Sequence, residues 1–90
     1  MTTIIYTGDG IIVDGHADNP IVCHGISAIS QMVANYVEDK GWGTVLRSDG
    51  HLEIIGVDKK YFENDLFAAM GSGFRDIEKS YPQSLKIIYK

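Results

Sequence analysis

The sequence predicts an α+β fold: a mostly antiparallel sheet with two helices packed against it. Three observations carry this reading. Asp9-Gly10 and Asp49-Gly50 each sit between β-branched or apolar segments, a strong hairpin pattern. Two long segments repeat apolar residues at three- and four-residue steps, the helical period. A last β-rich stretch, Leu85 to Tyr89, follows a proline stop at Pro82. The predicted order is ββαββαβ.

Each element has its own justification. Thr2 to Thr7 and Ile11 to Val13 form the first hairpin across Gly8-Asp9-Gly10. Gly15 to Pro20 is a loop by composition, and Pro20 disfavours helix at Asn19 before it. The first helix is expected from about Cys23. Its stripe is Ile26, Ile29, Val33 and Tyr36 or Val37, widened by Met32, with Gly41 as the C-terminal cap. Val45 to Arg47 and His51 to Val57 form the second hairpin around Ser48-Asp49-Gly50. The second helix is expected as one piece from about Tyr61 to Ser80, with Phe62, Leu66, Met70, Phe74 and Ile77 as its apolar face. Gly71-Ser72-Gly73 in its middle has three readings: close approach of another helix, a hinge, or a local break.

Composition narrows the functional classes. At 90 residues the chain is read as one domain, residues 1–90, small enough that a partner subunit would help it. Charged residues at 22% match the globular norm and argue against disorder. A net charge of −4 counts against direct nucleic-acid binding. No apolar run approaches the roughly 20 residues that span a bilayer, so no membrane partner is expected. The start of the chain lacks the basic residues of a secretion signal. The expected location is the cytoplasm, where a lone Cys23 stays a thiol.

The segment Gly15-His16-Ala17-Asp18-Asn19-Pro20-Ile21-Val22-Cys23-His24-Gly25-Ile26-Ser27-Ala28 holds the candidate chemistry. It puts a histidine at a strand end and a cysteine at a helix start. A helix N-terminus favours an anion, and a nearby imidazole can take the thiol proton. Each residue also has a plain reading. Cys23 can be a small buried hydrophobe, and His16 a turn residue bonded to backbone. Metal binding is not expected, because Cys23 and His24 point about 100° apart on a helix. Ser27 lies one turn after Cys23, either as a polar group of a pocket or as an ordinary small helix residue. Backbone N–H groups near Cys23 and His24 are candidate oxyanion donors, and Gly25 would let a substrate backbone approach the first turn.

Gly15-His16-Ala17, Ile21-Val22-Cys23 and Gly25-Ile26-Ser27-Ala28 together resemble the signature of the Prp, or YsxB-like, family of ribosomal-processing cysteine proteases. The resemblance covers the whole chain. It implies Cys23 as nucleophile and His16 as general base. It implies a short N-terminal extension of a ribosomal protein as substrate, or of a virion protein if this is a phage-type relative. It also implies a homodimer, and no metal or organic cofactor. Gly15, Ala17 and Gly25 would border the substrate. Three features depart from the family pattern. The loop between His16 and Cys23 is shorter, Pro20 stands where the family has an aspartate, and His24 stands where it has alanine. Asp18 is then the nearest carboxylate in sequence for orienting His16, and His24 is either a second acid–base group or a surface residue. Two other classes compete: a catalytically silent homodimeric peptide-binding module, and a redox thiol protein that would borrow a resolving cysteine from another chain.

Overall fold

The computed structural model describes residues 1–90. Strands β1 (Thr2–Tyr6) and β2 (Ile11–Asp14) lead into α1 (Pro20–Lys40). Then come β3 (Thr44–Ser48), β4 (His51–Ile55), a single turn α2 (Lys59–Phe62), α3 (Asp65–Ser80) and β5 (Leu85–Tyr89). The five strands form one sheet in the order β3-β4-β2-β1-β5. Three pairings are antiparallel, and β5 joins β1 in parallel. The α+β reading and the main element order therefore hold.

Alternation along the strands builds the core. Ile4, Ile11, Val13, Leu52, Ile54 and Leu85 are buried beneath the helices. From α1 come Val22, Ile26, Val33, Ala34 and Val37; from α3 come Phe67, Met70 and Phe74. Ile5, Ile12 and Ile88 adjoin one another on the opposite face of the sheet, which no helix covers.

Several local expectations are corrected. The first helix starts one turn earlier than its apolar pattern, at Pro20. Proline suits the first helical position because its missing N–H has no intrahelical acceptor there. Asn19 keeps the extended backbone that precedes proline, and its side chain caps the helix by accepting from Ile21 N–H at 2.9 Å. Met32 and Tyr36 are exposed rather than part of the buried stripe, whereas Val37 is buried. The second helix is two pieces. Asp58 caps α2, and Asn64 caps α3 by accepting from Leu66 N–H at 2.9 Å. Phe62 lies outside α3 but packs edge-on against Phe67 across the break. Gly71-Ser72-Gly73 stays helical, and a Cβ on Gly73 would lie 3.1 Å from Ile29 of α1, so close helix approach is the reading realised.

The first hairpin turns without any positive φ, so its Asp-Gly pair is not there for that backbone shape. Gly10 is required differently: a Cβ there would lie 1.9 Å from the carbonyl oxygen of Ile54 on β4. In the second hairpin Gly50 does adopt φ +67°.

Candidate active site

The N-terminal half of α1, the end of β2 and the β3–β4 turn border a cleft of about 240 Å³. Its lining includes Gly15, His16, Cys23, Ser27, Asp49, Gly50 and His51. That volume is below the roughly 300–1,000 Å³ of sites for whole small ligands. It suits a side chain or two of an extended peptide.

His16 is fixed by its backbone. Gly15 bends the chain with φ +92°, and a Cβ there would lie 2.6 Å from the Met1 carbonyl oxygen. Gly15 N–H donates to Gly50 O at 2.8 Å, and Met1 N donates to His16 O at 3.0 Å. The imidazole is solvent-exposed and lies over Gly50. Its Nε2 is 3.9 Å from Asp49 Oδ1.

Cys23 is half-buried in the fourth residue of α1. Its N–H donates to Asn19 O at 3.0 Å, the first rung of the helical ladder. The helix start therefore does not offer that N–H to an oxyanion, contrary to the sequence expectation. Ser27 shares the cleft one turn later and is exposed.

The other candidates lie elsewhere. Asp18 is exposed and does not border the cleft; the carboxylate beside His16 is Asp49. His24 is exposed on the outer side of α1, which places it as a surface residue. Ala17 packs against the hydrophobic core, and a Cβ on Gly25 would lie 3.6 Å from Ile77 of α3. Both are thus committed to the protein's own packing. Gly15 borders the cleft, but its backbone shape and its approach to Met1 already demand glycine.

A family model described as cysteine protease Prp matches residues 4–86. The chain belongs to the Prp cysteine protease family. Similar structures include the essential ribosomal processing protease Prp from S. aureus in complex with a substrate peptide. There the TM-score is 0.79 at 25% identity, over 99% of this chain and 97% of that one. The same protease with a covalently linked product peptide gives 0.77 at 26%, over 99% and 97%. SMU.848 from Streptococcus mutans shares the fold, with a TM-score of 0.68 at 24% over 99% and 96%. No curated protein sequence matches the chain significantly. No helix is long and apolar enough to cross a membrane.

Two titratable residues of this Prp-family cleft, Asp49 and His51, are not legible in the sequence as site residues. Local pattern marks Asp49 and His51 only as hairpin residues. The strand register places them: Asp14 pairs with His51, so the next residues along bring Gly15 and His16 beside Gly50 and Asp49. That register needs β4 next to β2, which local patterns do not specify.

His51 is not a second free base. Its Nδ1 meets Asp14 Oδ1 at 2.7 Å and its Nε2 meets Glu53 Oε2 at 3.4 Å. The hydrogen bond to Asp14, then that to Glu53, raises its pKa above the ordinary histidine value. A folded-state pKa above the unfolded one gives stability that is full below about pH 6.5 and fades as pH rises through the folded value. His51→Gln should therefore lower the urea midpoint more at pH 5.5 than at pH 9. A larger loss at pH 9 would contradict the assignment.

Proposed function

We propose that this Prp-family protease is a cysteine endopeptidase that trims a short N-terminal segment from a ribosomal protein, or from a phage virion protein. Cys23 is the nucleophile and His16 the general base. The observation that carries this reading is their placement in one cleft, on separate elements. The S. aureus relative with its substrate and product peptides supports a peptide in that cleft.

In the reaction, His16 takes the Cys23 proton and the sulfur attacks the scissile carbonyl. His16 then gives that proton to the departing amine as the C–N bond breaks, leaving a thioester. Water attacks the thioester, His16 removes its proton, and the thiol is restored. Because Cys23 N–H is already bonded to Asn19 O, the oxyanion needs another donor. The exposed Ser27 hydroxyl, on the cleft side of α1, is suited to that work.

The protein acts in the cytoplasm as a homodimer, and residues 1–90 work as one domain. The uncovered sheet face, where Ile5 is paired with Ile12 and Ile88, supports a second copy packing there. Pairing would hide apolar surface that a chain of this size leaves open.

The test is thiol reactivity and cleavage together. Iodoacetamide should alkylate Cys23 at neutral pH faster than it alkylates a free cysteine. His16→Ala should slow that alkylation. N-terminal peptides of ribosomal and virion proteins should yield one new N-terminus. Peptide retention without cleavage, with alkylation no faster than that of a free cysteine, would instead identify a silent binding module.

A further inference from the structure

We propose that the Asp49–Gly50 turn positions the His16 imidazole, with the Asp49 carboxylate holding its Nε2 side. This rests on the peptidase reading and assigns the orienting group for its base. Four observations meet here. Asp49 Oδ1 is the carboxylate oxygen within 4 Å of the ring, at 3.9 Å from Nε2. Gly50 is the floor under the ring: a Cβ there would lie 2.6 Å from Nε2, 3.0 Å from Cδ2 and 3.3 Å from Cε1. Gly15 N–H to Gly50 O, at 2.8 Å, ties the residue before His16 to the same turn.

The fourth observation is that the turn is itself anchored to the helix that carries Cys23. Arg47, on β3 just before the turn, reaches along α1. Its Nε donates to Gln31 Oε1 at 2.9 Å, and one terminal nitrogen meets Asn35 Oδ1 and Glu38 Oε1, each at 2.9 Å. One hairpin thus links the nucleophile's helix to the base's ring. The carboxylate comes from a different element than Asp18, and the position three residues before Cys23 is Pro20, which has none.

The geometry also selects a tautomer. A proton on Nε2 faces Asp49, which leaves the Nδ1 lone pair for the thiol. At 3.9 Å the contact is too long for a hydrogen bond. Both side chains are largely exposed, so a modest side-chain rotation closes it, and catalytic hydrogen bonds commonly tighten only with substrate bound. The remaining groups near the ring are accounted for. Met1 N is bonded to the His16 carbonyl, Cys23 shares the cleft, and His51 is held by Asp14 and Glu53.

The experiment compares the unaltered protein with Asp49→Ala and Asp49→Glu. Asp49 is fully exposed, so neither variant threatens folding. Two readouts are taken: kcat and KM for peptide cleavage, and ¹⁵N NMR of the His16 ring. Asp49→Ala should lower kcat about tenfold with KM unchanged, less than the losses of buried triad carboxylates because this one is solvated. Asp49→Glu should restore most of the rate. In the NMR spectra the neutral ring should favour the Nε2-protonated tautomer more in the unaltered protein than in Asp49→Ala. Unchanged kcat, a change confined to KM, or no rescue by glutamate would overturn the assignment, as would an unmoved tautomer balance. If the unaltered protein cleaves no peptide, the peptidase reading fails, and the ring's tautomer alone decides whether the turn positions it.

Discussion

Replacing Cys23 by alanine should reduce peptide cleavage by about 10⁴-fold or more while leaving the fold intact. In the proposed mechanism the sulfur forms the thioester, so no neighbour can substitute for it. His16→Ala should cause a loss of similar order. The double variant should be no worse than either single one, because nucleophile and base act as a unit. Stability should change little, since Cys23 is only half-buried and alanine removes one atom from a helix that favours alanine. Cleavage rates for the four proteins, with circular dichroism melts alongside, check this. Losses that multiply in the double variant would mean that the two side chains work independently.

Gly10→Ala should be the most damaging small substitution for folding. The added methyl would sit 1.9 Å from Ile54 O and 2.9 Å from Ile54 C, both backbone atoms of β4. No side-chain rotation relieves such a clash; β4 or the turn must move. The turn is held there by Val57 N–H to Asp9 O at 2.9 Å and by Gly56 N–H to Asp9 Oδ2 at 3.2 Å. Movement therefore breaks hydrogen bonds as well as packing. We expect a loss of about 3 kcal/mol, at the upper end of ordinary overpacking costs. Against a typical total of about 5–15 kcal/mol that is a large share. Urea titration checks it, with Gly8→Ala as the comparison, because a Cβ at Gly8 meets nothing within 4 Å. Equal midpoints for the two variants would refute the close-approach account.

Much of this fold was legible because period and punctuation agreed. Strand Leu85–Tyr89 and the Gly41 cap match their sequence signals. The split between α2 and α3 is hidden in the sequence because Phe62 fits the apolar period of α3 while Asn64, a strong cap, interrupts it. The exposure of Met32 and Tyr36 reflects the narrow face that α1 turns to the core. At the site, His16 and Cys23 stand out through strand-end and helix-start placement plus the family resemblance. Asp49 does not, because its proximity to His16 depends on β4 lying beside β2. Sheet order is a long-range outcome that short segments do not encode.

The parallel pairing of β1 with β5 joins segments near opposite ends of the described sequence. Closing so long a span costs chain entropy before any contact rewards it, and such topologies assemble slowly. β1 also holds β2, at whose end His16 stands. The side of β1 away from β2 is therefore filled late, once translation has delivered β5 and that strand has docked. Until then a nascent chain of this design keeps that strand edge open, a point at which it can mispair with another chain.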